Sequence, residues 1–382
     1  MGRMGLRDFS MLLAWVVIVV YFASAEATFL SSRNLAQLAI ELSITAVLAL
    51  GMLLIILPGH IDLSVGSGLG LMGGLAAVLV FHLGWPAPLA LVVATGVSVL
   101  VYAGMGIFIA RERIPAFIIT LGGLLVFKGL HWLVIENSTV PVSAGGTTNL
   151  YSLLTTYYLP PFAGFALAGG MLALLVVLRI RSYRRRRAGG YGVEDAEMVF
   201  LRLLFAGQLI LLFVLVMNRY QGVPISALLL GAVAVTVHLI TQHTPFGRYL
   251  YAIGGNEEAA VISGIPIRRV VIGAFGIMGV IVALSGFLQT AYAGASTTTT
   301  GQLMELDAIA ACVIGGTSLK GGRGSVIGVL FGALIMATLL NGMTLLAISP
   351  ESKLIARGLV LSLAVWMDVR LSRTSGPVTL TR

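Results

Sequence analysis

Long apolar runs, each closed by a short polar interruption, set the pattern of this chain. They lie near residues 11–29, 35–57, 63–83, 88–110, 115–135, 161–179, 199–217, 223–241, 268–290, 305–319, 324–347 and 352–369. A run of about 20 apolar residues, rising about 1.5 Å per residue, crosses the roughly 30 Å hydrocarbon layer of a bilayer. Apolar side chains occupy every face of these runs, which excludes helices half-exposed to water. The pattern predicts an all-α, polytopic transmembrane bundle of about twelve spans, because helices satisfy their own backbone in lipid. The tenth run is the weakest: Glu305, Asp307 and the pair Gly315-Gly316 interrupt it.

Composition strengthens that picture. Hydrophobic residues make up 58% of the 382, charged ones 10%, and the mean hydropathy is +1.00; a soluble domain carries about 25% charge. The net charge of +9 acts as a topology signal. With the N-terminus in the cytoplasm, 19 of the 24 Lys and Arg fall on cytoplasmic loops and span ends, as the positive-inside rule demands. These are Arg3, Arg7, Arg111, Arg113, Arg179, Arg181, Arg184 to Arg187, Arg202, Arg248, Arg268, Arg269, Lys320, Arg323, Arg370, Arg373 and Arg382. Arg33, Lys128, Arg219, Lys353 and Arg357 are the exceptions. Both termini are therefore expected inside. The basic residues have no interleaved aromatics, so no nucleic-acid partner is expected. The loop from Arg179 to Glu197 reads as a topology anchor, or as a contact with anionic lipid headgroups. Met11–Ala25 could pass for a signal peptide, but an uncleaved first span keeps the parity that the charges require. Cys312, the one cysteine, reads as a small buried residue without redox chemistry. The whole of 1–382 is expected to be one membrane domain.

Against this background the polar segments stand out. Pro58-Gly59-His60-Ile61-Asp62-Leu63-Ser64 breaks two spans with almost no loop between them. Asp62 is costly at mid-membrane, by about 2.5–3.5 kcal/mol; it either caps the next helix or belongs with His60 and Ser64 to a translocation path or gate. Gln289 and Asn341 either hydrogen-bond between helices or line that path. Lys128 and His131 are expected to snorkel from the end of the fifth span. Gly66, Ser67, Gly70 and Gly74 are echoed by Gly324, Ser325, Gly328 and Gly332 at a constant offset of 258. Glycines four apart give a helix face for close packing in lipid, or mark an internal repeat of the kind found in transporters.

The segment Gly254 to Gly264 follows Thr244-Pro245-Phe246-Gly247-Arg248. Asn256 suits an N-cap, with Glu257 and Glu258 in the first turn of a short helix through Ala259 and Ala260. The charge pattern puts it in the cytoplasm, as a docking element or a simple connector. Gly315 to Gly324 is no phosphate loop, since Lys320 is followed by Gly321 where Ser or Thr is needed. No nucleophile elbow, zinc-binding His pair or Cys pair occurs either. Catalysis has no support, and no metal site is expected.

Glu258-Ala259-Ala260, three residues, then Gly264 resembles the coupling loop of ATP-binding-cassette importer permeases. Three blocks together resemble the ribose/xylose permease family: Gly59 to Ser67, Phe246 to Pro266, and Glu305 to Ser325, with Arg113 to Gly122 in agreement. His60 departs from the family's usual second glycine. An extra pair of spans at about 161–220 resembles the xylose and multiple-sugar branch, which points to D-xylose, with ribose, arabinose or galactose as alternatives. The resemblance implies a second permease copy, a separate ATPase that binds ATP and Mg, and a periplasmic or lipid-anchored sugar-binding protein that sets specificity. It implies a coupling loop over about 244–267 that includes Gly247, Arg248, Gly255 to Ala260 and Gly264. This chain would bind no cofactor and would sit in the bacterial inner membrane. The rival is a gradient-driven sugar carrier using Asp62, Glu305 and Asp307; a passive channel lacks any filter signature.

Overall fold

The computed structural model describes residues 6–145, 147–189 and 196–374. Arg3, Arg382 and the side chains of Arg7, Arg186, Arg187, Arg370 and Arg373 lie outside the described residues. The long helices are α1 (Leu6–Ala25), α2 (Ser32–Ile56), α3 (Val65–Phe81), α4 (Ala87–Glu112), α5 (Ala116–Val134), α7 (Pro161–Ala188), α8 (Ala196–Asn218), α9 (Ile225–His243), α12 (Ile267–Ala293), α14 (Val326–Leu345) and α15 (Pro350–Thr374). Short helices are α6 (Leu150–Thr156), α10 (Pro245–Gly255), α11 (Glu257–Ile262) and α13 (Met304–Ile314). Two-residue strands pair antiparallel: β1 (Val140–Pro141) with β4 (Ala295–Ser296), and β2 (Tyr158–Leu159) with β3 (Val223–Pro224). Among the described residues, eight helices are long and apolar enough to cross a membrane. Val65–Phe81 and Met11–Ala25 are shorter apolar helices.

α2 is the axis of the molecule. Every residue from Ala46 to Pro58 is buried, which explains an apolar run with no polar face. α12 crosses it, with Gly51 of α2 against Met278 and Ile281. α12 also packs on α3 and α4. At Gly279 a side chain would meet the backbone of Ser98 and Val99, and at Gly286 that of Leu69 and Gly73. Such backbone-to-backbone approach replaces the hydrophobic effect as the source of helix association in lipid. α1 joins α14 through Phe22, whose ring fills the space beside Gly342, and through the Trp15 indole, which donates to Thr338 Oγ1 at 3.2 Å.

Two expectations are corrected. The tenth run does not form a spanning helix: α13 has 11 residues, about 16 Å of rise. Residues 298–303 ahead of it are a run of turns; the acidic residues that weakened the run lie in the first turn of the short helix, and the glycines follow its end. The basic stretch after Arg179 is not a loop, because α7 continues through it to Ala188. Cations near a helix C-terminus lie at the negative end of its dipole, so Arg184 and Arg185 extend the helix.

The extra pair α7 and α8 forms two apolar helices of full spanning length. They pack on each other. A small cluster of Ala168, Val214 and Met217 rests on Ala36 and Ala39 of α2, and the β2–β3 pair ties the base of the insertion together.

Candidate functional site

At one end of the bundle, α10 and α11 build a platform. Thr244 caps α10, its Oγ1 accepting from Gly247 N at 3.1 Å, and Pro245 fits the first turn where no N–H is needed. Asn256 caps α11 as its sequence suggests, with Oδ1 accepting from Ala259 N at 2.9 Å and Glu257 and Glu258 in the first turn. Gly264, at φ 76°, closes the helix. Its N–H bonds to Val261 O and that of Ile265 to Ala260 O, which is a Schellman ending. Ala260 is buried, while Glu257, Glu258, Ala259, Val261 and Ile262 are exposed. Ile262 is 87% exposed and Val261 57%. Arg248, Arg268, Arg269 and Lys320 are exposed on the adjoining elements. The platform thus exposes an apolar knob ringed by charge.

The platform rests on two loops. Leu57 O accepts from Gly322 N at 2.9 Å, and a side chain at Gly254 would run into Leu57 O and Gly322 N. Gly321, at φ 86°, faces Gly254 and Gly59 within 3 Å of its would-be Cβ. Gly255 lies against Gly322 in the same way. The break after α2, the end of α10 and the loop between α13 and α14 are thus joined backbone to backbone. His60 is half-buried there, within electrostatic reach of Glu257.

From this junction the chain turns inward. Asp62 is fully buried, and its Oδ1 accepts from Ser64 N at 2.8 Å and Ser64 Oγ at 2.6 Å. Ser64 Oγ also lies 3.3 Å from the Tyr102 hydroxyl. Asp62 thus closes a turn just ahead of α3, one step short of capping the helix itself, and its Oδ2 has no partner. The glycine face of α3 receives the turns ahead of α13 and a side chain of α5: Gly66 abuts the Glu305 carboxylate and Gly301 O, Gly70 abuts Thr300 O, and Gly74 abuts the His131 ring. On α14, Gly328 and Gly332 receive the backbone of Gly315 and Ala311, while Gly324, just ahead of the helix, fits against Leu53 and Thr317. The two echoed glycine faces therefore hold opposite ends of one broken segment, residues 300–315.

His131 does not reach the surface. It is 2% exposed, with Nε2 2.9 Å from Ser296 Oγ; Ser296 comes from 165 residues away, so local spacing gives no hint of it. Asn341 bridges helices: its Nδ2 donates to Glu41 Oε2 at 3.1 Å, and its Oδ1 accepts from Asn34 Nδ2 at 2.9 Å. Tyr292 OH donates to the other Glu41 oxygen at 2.7 Å and accepts from Gln37 Nε2 at 2.8 Å. This network joins α2, α12 and α14; Gln289, half-buried on α12, is not part of it. Glu41 was not among the residues singled out, although a carboxylate inside an apolar run is a signal of its own. Asp307 forms an ion pair with Arg357 of α15 at 3.4 Å, and Cys312 is buried with its thiol donating to Ala49 O.

Apolar helices on all sides and a charged platform at one end define a multi-pass membrane permease. The chain belongs to the family described as branched-chain amino acid transport system / permease component, whose profile matches residues 34–365. It is 39% identical over 374 residues to the xylose transport system permease protein XylH of Escherichia coli, covering 97% of this chain and 94% of that protein. The Haemophilus influenzae protein of the same name is 37% identical over 366 residues, covering 95% and 96%. The ribose import permease protein RbsC of Escherichia coli is 31% identical over 357 residues, covering 94% and 92%. No solved structure matches. The protein is a transport permease of the bacterial inner membrane, and not an enzyme.

Proposed function

We propose that this chain is the membrane-spanning subunit of an ATP-binding-cassette importer that carries a monosaccharide, D-xylose, into the cell. The α10–α11 platform carries the proposal. Its exposed Val261 and Ile262 on a capped, charged helix suit a docking site for a separate ATPase, which would hold ATP and Mg. The xylose assignment rests on the names and identities of the most similar relatives described above; ribose is supported by a lower identity. A sugar-binding protein outside the membrane and a second copy of this chain complete the assembly.

In this reading the platform faces the cytoplasm, both termini lie there, and the chain crosses twelve times. The tenth crossing combines the turns at 298–303 with α13. ATP-driven closure of the ATPase pushes on α11. The Gly254–Gly255 contact passes that push to Leu57 and to Gly321–Gly322. Those loops lead directly into the broken segments at Asp62 and at α13, the least helical parts of the bundle. Access thus alternates by a hinge at glycine contacts. A gradient-driven carrier finds less support, because Asp307 is neutralised by Arg357 and Asp62 is engaged by Ser64. Co-reconstitution with the cognate ATPase and binding protein is expected to give D-xylose uptake that requires ATP. Uptake persisting without ATP and driven by a proton or sodium gradient would sink the proposal.

A further inference from the structure

We infer that the basic face at the end of α7, made of Arg181, Arg184 and Arg185, holds the headgroup of an anionic phospholipid. The chains of that lipid lie along the apolar stripe of the same helix and wall the α7–α8 pair.

The pair is sparsely held by protein. Most of α7 and α8 is exposed, whereas α2 is almost wholly buried. The cluster of Ala168, Val214 and Met217 on α2 and the β2–β3 pairing both sit at the start of α7 and the end of α8. The opposite end, where the arginines stand, has neither attachment.

The facing of α7 follows from its contacts. Gly207 of α8 lies against Leu172, and Gly164 of α7 against Val214, so the helices run antiparallel with Leu172 turned inward. At about 100° per residue, Arg181 stands about 180° from Leu172, and Arg184 and Arg185 lie within about 60° of Arg181. All three are exposed. Leu167, Leu174, Val177 and Leu178 fall on the same outward side and are exposed too. An apolar stripe thus runs straight into three guanidinium groups. Arg179 turns toward α8 instead and is half-buried. Among the described residues, Glu197 is the one carboxylate of the two helices.

Depth places the three arginines among headgroups. From Pro161 to Leu178 the helix carries no charge and rises about 26 Å, close to the roughly 30 Å hydrocarbon layer. Arg181 to Arg185 stand about 4–10 Å beyond Leu178, where the headgroup layer begins. Helix side chains lean toward the N-terminus, so arginines on this last stretch lean back toward the phosphates. Guanidinium groups bind phosphate through paired N–H donors, and a basic surface at this level draws anionic lipid. A protein partner would first have to displace the headgroups that already surround this face.

The test uses the purified full chain in detergent micelles, mixed with phosphatidylglycerol or with phosphatidylcholine of the same acyl chains. Native mass spectrometry counts the lipid retained. Phosphatidylglycerol is expected at least about tenfold above phosphatidylcholine, and the excess should vanish when Arg181→Gln, Arg184→Gln and Arg185→Gln are combined. Combining Arg248→Gln, Arg268→Gln and Arg269→Gln removes the same charge from the platform and should change retention less than about twofold. Equal retention of the two lipids, an unchanged excess in the α7 triple, or an equal loss in the platform triple overturns the site. If the α7 triple fails to insert, salt decides on the wild-type chain. Raising it from 0.1 to 1 M shortens the screening length from about 10 to about 3 Å. Phosphatidylglycerol retention should then fall several-fold while that of phosphatidylcholine holds, and retention indifferent to salt overturns the proposal. Loss of ATPase binding in the α7 triple, with phosphatidylglycerol retention intact, would assign the arginines to the ATPase instead. No lipid readout here depends on sugar transport, so failure of the importer reading would show separately, in the uptake assay.

Discussion

Glu41 shows what a single residue can hold together in lipid. Its two oxygens accept from Tyr292 and Asn341, so one carboxylate joins three long helices. Replacing Glu41 by Leu leaves both donors without a partner and should cost about 1–3 kcal/mol. Glu41→Gln, which keeps an acceptor, should cost less. Unfolding titrations of the purified protein in detergent micelles check the order; equal losses for the two variants would mean that volume and not hydrogen bonding matters. At this scale the sequence flags polar residues in apolar runs but not their partners. Asn341 and His131 meet groups 300 and 165 residues away, and His131 is buried where a route to the surface was expected.

Among the elements, α11 was readable nearly residue by residue. A cap, two acidic residues and a closing glycine are local chemistry, and the helix adopts all three. Gly264→Val forces a branched side chain into the left-handed region, at about 1–2 kcal/mol. It should uncouple ATP hydrolysis from uptake while the protein still inserts, as should Glu258→Arg. ATPase and uptake assays on the same vesicles test this, and wild-type values in both would remove α11 from the coupling role. The glycine faces of α3 and α14 were legible as packing surfaces, yet what they pack was not. Gly332→Leu would collide with the Ala311 backbone. It should lower the yield of folded protein several-fold by size-exclusion profile, the overpacking cost being about 1–3 kcal/mol. Gly231, with open space around it, should tolerate leucine.

For the molecule as a whole, the proposed sidedness follows from charge. Cysteines placed singly at Arg185 and at Ile262 should label from the same side of the membrane, and one at Thr147 from the other, when an impermeant reagent is added to intact cells or to inverted vesicles. Labelling of Ile262→Cys from outside would reverse the topology and with it the docking role of α11. By itself the sequence determined the helical class, the apolar spans and the capped water-side helix. Each depends on composition, periodicity or neighbours within a few residues, and local chemistry suffices for that. Only the tertiary structure decided that the tenth run is a short helix behind a run of turns, held by glycine faces from α3 and α14. Only it brought Leu57, Gly254 and Gly322 together beneath the platform. Those features rest on backbones meeting across hundreds of residues, and in lipid such close approach, unlike the apolarity of a run, is a property of pairs of helices and not of any one segment.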